Sequence, residues 1–230
     1  MYGDDLKTFP QHSGKPATAK SAIGVDKPQI WSKAIADIER TLRTMLVFDE
    51  KQNLLEHDSA YSKWLDFALK TKEKQGIIYL IGNGASASMA SHMAIDVMKN
   101  GGIRTMLFTD PAMVTALAND YSYDEVFSTP LRYMIRKHDM LVAISSSGES
   151  PNIVNACYTA QRGGANVVTL SGMQQGNTLS QLGHLNFYVS APSYSLAETS
   201  HAAILHHWMD LISAKAQISK PQVRYEQTYS

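Results

Sequence analysis

The sequence predicts an α/β fold: a doubly wound, five-stranded parallel sheet preceded by two N-terminal helices. The first observation behind this is five short apolar runs, Ile77–Ile81, Arg104–Phe108, Met140–Ser145, Val167–Leu170 and Leu185–Val189, with helical stretches between them. Each is too short for a helix. A continuous apolar run of this length suits a strand buried on both faces, and helical crossovers between such strands give a parallel sheet. The second observation is that three runs end in polar clusters: Gly82-Asn83-Gly84, Ser145–Ser150 and Ser171-Gly172. In open α/β sheets ligands sit outside the carboxyl ends of the strands, so these clusters mark the functional edge.

Taken in order, residues 1–27 are polar, with Gly, Pro, Ser and Lys mixed and no periodicity, and read as a loose N-terminal arm or an extended wrap ordered by a partner subunit. Residues 28–219 form one domain that includes two amphipathic helices at its start. The first spans about Pro28–Val47, with Ile30, Ile35, Ile38, Leu42 and Leu46 at helical spacing. The second spans about Ser59–Lys74, with Trp64, Leu65, Phe67 and Leu69 on its apolar side. Two helices ahead of such a domain commonly pack on a symmetry mate, so an oligomer is expected. A last helix, Ser195–Ser213, closes the domain, and 220–230 is a polar tail.

Composition narrows the function. Lys+Arg 21 against Asp+Glu 21 gives zero formal charge, and no basic run offers a track for nucleic acid. No apolar segment reaches membrane-spanning length, and the N-terminus lacks a signal-peptide core, so no membrane partner is expected. The single cysteine, Cys157, excludes an internal disulfide and sits on what reads as the buried side of a helix. A cytoplasmic protein is expected.

Ile77–Met98 carries the densest chemistry. A buried strand, a Gly-Asn-Gly turn and a helix N-terminus with unpaired N–H groups make an anion cradle. One turn on, His92 and Asp96 stand four apart and project from one helical face, as a metal or acid–base pair would. Ser145-Ser146-Ser147-Gly148-Glu149-Ser150 leaves a second buried strand, and Ser150-Pro151 reads as an N-cap followed by proline at the first helical position. Hydroxyls and free helix N–H groups bind a phosphate without Lys or Arg, which fits the neutral charge balance. Together they point to a sugar phosphate. Each cluster has a plainer reading: a common turn, a surface hydrogen bond between His and Asp, a serine loop that only caps its helix.

GNGASASMASH, the Asn119-Asp120-Tyr121 segment followed by Tyr123-Asp124-Glu125-Val126-Phe127, and ISSSGESPN together resemble the sugar isomerase (SIS) domain, and within it the phosphoheptose isomerases. The resemblance covers roughly residues 77 to 212. It implies a homotetrameric enzyme of heptose supply for lipopolysaccharide or capsule that converts sedoheptulose 7-phosphate to D-glycero-D-manno-heptose 7-phosphate through a cis-enediol. It further implies zinc, or another divalent ion, at the site. The family's substrate and phosphate contacts fall on Asn83, Gly84, Ala85, Asn119, Asp120, Ser145, Ser146, Ser147 and Ser150, with Glu198 beside them. Its metal ligands fall on His92, Asp96, Glu198 and His206, its general base on Asp96 and its general acid on His206.

The sequence departs from the family's pattern at several of these positions. Asp96 stands where the family has Glu, which retracts the carboxylate by about 1.3–1.5 Å. Glu198 replaces Gln and adds a negative charge, Ala85 replaces a glycine, and Ser195-Leu196-Ala197 replaces an acidic residue and an Arg. By spacing alone, Ser195 and Glu198 also fit a capping box. His206 lies about 80° round the helix from Glu198. His201, three residues from Glu198, is a rival ligand, and His207 reads as a packing or surface histidine. Two other functions share the fold: a non-catalytic SIS module that binds sugar phosphates or assembles a replication initiator, and an isomerase or epimerase for another phosphosugar.

Overall fold

All five expected parallel strands form, in the places expected. The computed structural model describes residues 30–216. In chain order it contains α1 (Trp31–Arg43), β1 (Leu46–Asp49), β2 (Leu54–Leu55), α2 (His57–Glu73), β3 (Ile77–Gly82), α3 (Ala85–Gly101), β4 (Arg104–Met106), α4 (Pro111–Asp120), α5 (Ser128–Met134), β5 (Met140–Ser145), α6 (Pro151–Arg162), β6 (Asn166–Ser171), β7 (Leu185–Tyr188) and α7 (Tyr194–Ala216). Short 3-10 turns lie at Tyr123–Glu125 and Thr178–Gln181. The expected arm, 1–27, and tail, 220–230, lie outside the described residues. No helix among the described residues is long and apolar enough to cross a membrane.

The sheet has seven strands, not five, in the order β2-β1-β7-β6-β5-β3-β4. β3 to β7 are mutually parallel, while β1 runs antiparallel to β7 in the register Leu46↔Tyr188 and Val47↔Phe187. The expectation of a first helix reaching Val47 is therefore corrected: α1 ends at Arg43, and the next residues turn into a strand. Leu46-Val47-Phe48 is apolar enough to continue a helical pattern. Val47, fully buried, instead satisfies the open edge of β7.

Alternation along each central strand separates two cores. Ile78, Leu80, Val142, Ile144, Val168 and Leu170 face α2, α3 and α7, whereas Tyr79, Ile81, Leu141, Ala143 and Val167 face α5 and α6. The first core centres on Trp64 of α2 and Trp208 of α7, both fully buried, whose rings stack with centroids 4.4 Å apart and planes 11° from parallel. Phe187 of β7 packs 4.9 Å from Trp64. Trp208→Ala is expected to lower stability by about 3–5 kcal/mol, measured by urea unfolding, because the sheet and α2 hold the cavity open. A loss below about 1 kcal/mol would show that the two indoles do not organise this layer.

Topology then fixes where a ligand fits. From β3 the chain crosses to β4 on one side and returns to β5 on the other, so β3 and β5 flank the switch point. Gly82, paired with Ile144, and Ser145 end those two neighbouring strands at the edge where such a reversal opens a crevice.

Candidate functional site: a serine crevice beside a His–Asp–His cluster

At the end of β3, Gly84 takes φ 54° and ψ −123° and precedes the first turn of α3 without side-chain capping. A Cβ added to Gly84 would meet nothing within 4 Å, so the backbone here is open to a ligand. At the end of β5, Ser145 and Ser146 are buried, and the loop is organised on itself. The Gly148 N–H donates to the Ser145 hydroxyl at 3.2 Å, the Ser145 hydroxyl donates to Ser150 Oγ at 3.3 Å, and the Glu149 N–H donates to Ser147 Oγ at 3.3 Å. Ser150 does stand just before Pro151 at the start of α6, but its hydroxyl caps no backbone N–H. The N-termini of α3 and α6, whose N-cap residues Gly84 and Ser150 make no side-chain capping hydrogen bond, lie beside these hydroxyls, an arrangement suited to an anion. The crevice holds about 200 Å³ and is lined by Asn83, Ser86, Ser145, Ser146, Ser147 and Ser150, with Tyr194 and Glu198 from α7.

The metal-capable side chains gather between α3 and α7. Donor atoms of His92, Asp96 and His206 all lie within 4.8 Å of one another. His92 Nε2 is 3.3 Å from Asp96 Oδ2, Lys99 Nζ is 3.5 Å from Asp96 Oδ1, and the His92 and His206 rings are 5.3 Å apart. Two imidazoles and a carboxylate from two facing helices form a donor set that fits a divalent ion such as zinc. Three protein ligands leave a position open, as catalytic zinc sites do.

The remaining expected residues are distributed as follows. Glu198 is not in the cluster; it lines the serine crevice. The alternative reading of Glu198 as half of a capping box also gives way, because α7 begins one residue earlier, at Tyr194. The hydroxyl of Ser193 instead accepts from the Leu196 N–H at 3.4 Å. Ala85 is exposed at the first position of α3. Asn119 and Asp120 are exposed at the end of α4, joined by a 2.9 Å amide-to-carboxylate hydrogen bond, and do not line the crevice. His207 is exposed and packs edge-on to Tyr61 at 4.5 Å.

His201, the rival ligand, is fully buried and faces β6, with Nε2 3.1 Å from the Ser171 carbonyl. Burial pushes its pKa down to about 4, and burial also lowers that of His184. A histidine held neutral in the fold protonates more readily in the unfolded chain, so its contribution is complete above pH ~6.5 and is lost as pH falls toward 4. The fold should lose up to about 3 kcal/mol between pH 7 and pH 4.5, most of it restored in His201→Gln. Urea unfolding at the two pH values checks this, and equal stability at both would contradict it.

Three residues missed from the sequence complete the site. Asn152 and Tyr123 both hydrogen-bond the Asn83 side chain, and buried Asn177, held in the loop after β6 by donating to the Gly172 and Gln174 carbonyls, packs against Gly148 of the serine loop. The signals were slight: an asparagine just after Ser150-Pro151, a tyrosine in an acidic segment, and an asparagine after Gly176.

A doubly wound sheet with a hydroxyl-lined crevice at its switch point defines the class, and sequence comparison gives the family. Residues 51–172, more than half of the chain, match the model of the SIS domain. The chain belongs to the SIS-domain family. Within it, the chain is similar to phosphoheptose isomerases. It is 38% identical over 142 residues to that of Coxiella burnetii, covering 58% of this chain and 71% of the relative. With the enzyme of Sulfurimonas denitrificans it shares 33% identity over 181 residues, covering 76% and 91%. The structure of phosphoheptose isomerase from Neisseria gonorrhoeae superposes with a TM-score of 0.67 at 26% identity, covering 79% of this chain and 94% of that one.

Proposed function

We propose that this protein is a phosphosugar aldose–ketose isomerase that interconverts sedoheptulose 7-phosphate and D-glycero-D-manno-heptose 7-phosphate with the assistance of zinc or another divalent ion. The observation that carries this reading is the juxtaposition of the serine crevice with His92, Asp96 and His206 on the two helices that border it. The serine loop and the Gly82–Ala85 turn bind the phosphate, and this binding energy, remote from the reacting carbons, orients C1 and C2. The Asp96 carboxylate takes a proton from C1 of the ketose while His206 supplies one to the C2 carbonyl oxygen, giving the cis-enediol. Return of a proton to C2 from Asp96, with loss of the O1 hydroxyl proton to His206, gives the aldose. An ion held by His92, Asp96 and His206 would polarise the carbonyl and enediol oxygens. Glu198, lining the crevice, is placed to accept from substrate hydroxyls.

The retention of three donor-type side chains in one cluster favours an enzyme over a non-catalytic sugar-phosphate module. Proton NMR of sedoheptulose 7-phosphate with the purified protein, before and after chelation and with zinc restored, tests the assignment. Appearance of the aldose, lost on chelation and recovered with zinc, is expected. No turnover by zinc-loaded protein would remove this substrate, and failure to bind zinc would remove the metal. A tetramer is the proposed assembly, supported by Ile30, Trp31 and Ile35, which α1 and the residue before it leave exposed. A monomeric mass by light scattering would contradict that assembly.

A further inference from the structure

We infer that Asn152 and Tyr123 are positioning residues that fix the polarity of Asn83, so that the turn after β3 presents an N–H donor to an anionic ligand. This rests on the reading of the crevice as a phosphosugar site. An asparagine amide can turn either edge toward a ligand, and only its other partners decide which. The chain of constraints starts at the backbone: the Ile153 N–H can only donate, and it donates to Asn152 Oδ1 at 3.0 Å. That places the Asn152 oxygen and nitrogen, and the two asparagines then pair reciprocally. Asn83 Nδ2 donates to Asn152 Oδ1 at 3.0 Å, and Asn152 Nδ2 donates to Asn83 Oδ1 at 2.9 Å. The Tyr123 hydroxyl donates to the same Asn83 oxygen at 3.1 Å.

Asn83 Oδ1 thus has both its lone pairs used. The one group left over is the second N–H of Nδ2, which has no acceptor among the described residues. Asn83 lines the serine crevice and also a neighbouring cleft that includes Tyr123 and Phe127, so this N–H sits on the rim of the anion site. Asn152 is 1% exposed and held by helix α6, which makes it a rigid anchor. Tyr123 is 53% exposed, and its phenol does little else for the fold. Without these partners the amide is free to turn its oxygen toward the ligand and repel a phosphate.

Isothermal titration with inorganic phosphate as the probe, together with thermal melting, tests the inference in wild type, Tyr123→Phe, Asn152→Ala and the double variant. Tyr123→Phe, at an exposed position, is expected to melt with wild type yet weaken phosphate binding by about 3- to 10-fold, and Asn152→Ala by about 5- to 20-fold. The double variant should be no weaker than Asn152→Ala by more than about twofold, because both act through one amide. Undiminished binding in folded Tyr123→Phe, fully multiplicative losses, or a wild type that binds no phosphate would each overturn the inference. Weakened phosphate binding in the variants, with a wild type that does not turn over sedoheptulose 7-phosphate, would uphold it while removing the proposed reaction.

Discussion

Asp96→Asn is expected to lower the rate of sedoheptulose 7-phosphate conversion by about 10²- to 10⁴-fold, the range lost when a positioned proton-transfer group is removed. The substitution keeps the side chain's shape and removes its basicity. The fold should tolerate it, because the partners being lost, His92 at 3.3 Å and Lys99 at 3.5 Å, are themselves mostly solvent-exposed helix neighbours, and such pairs contribute about 0–1 kcal/mol. A melting curve superimposable on wild type with product formation nearly abolished is the expected pair of results. Conversion within about threefold of wild type would remove Asp96 as the base. Metal content measured on the same variant separates the two roles assigned to this carboxylate. If zinc binds as in wild type and turnover is gone, proton transfer is the function lost.

Gly148→Ala should produce the largest loss of stability at the crevice. Gly148 has φ +68°, and a Cβ there would lie 2.0 Å from Asn177 Oδ1. Asn177 cannot yield cheaply: it is 2% exposed, its amide donates to two carbonyls, and its oxygen accepts from the Ser180 N–H at 3.0 Å. Left-handed strain and overpacking add to a cost of about 2–6 kcal/mol, a large part of a domain's whole stability. Where the variant still folds, the serine loop must move, so phosphate binding should be lost with it. Urea unfolding and phosphate titration read the two effects. Stability within about 0.5 kcal/mol of wild type, with phosphate still bound, would mean that Asn177 does not brace this loop.

The sequence revealed most where local pattern and tertiary role coincide. β3 and β5 are buried on both faces and end in Gly and Ser, so apolar runs and their polar exits marked both the sheet and the crevice. The single metal-capable cluster among the described residues was legible in part. His92 and Asp96 share a helix face by spacing, whereas His206 joined them only through the family resemblance, since helix geometry cannot say which face of α7 meets α3. β1 was hidden because Leu46-Val47-Phe48 continues a helix-compatible apolar pattern, and the partner that makes it a strand, β7, lies far along the chain. The Ser195–Glu198 spacing matched a capping box, but the helix starts one residue earlier and Ser193 supplies the hydroxyl. Asn152 and Tyr123 lie inside the segments that carry the family resemblance, yet nothing in their local pattern assigned either a role of its own. Their importance comes from hydrogen bonds to Asn83 across 69 and 40 residues of sequence, which no local reading can anticipate.

The most direct test of the account is deuterium incorporation, followed by proton NMR, when zinc-loaded protein equilibrates sedoheptulose 7-phosphate in D₂O. The proposed proton transfer through a cis-enediol predicts deuterium at C1 of the recovered ketose and at C2 of the aldose, with neither appearing in Asp96→Asn. Finding neither aldose nor deuterium exchange would contradict the assignment of this sugar phosphate as substrate, and aldose that stays free of solvent deuterium through many rounds of interconversion would contradict proton transfer by a solvent-exchangeable Asp96.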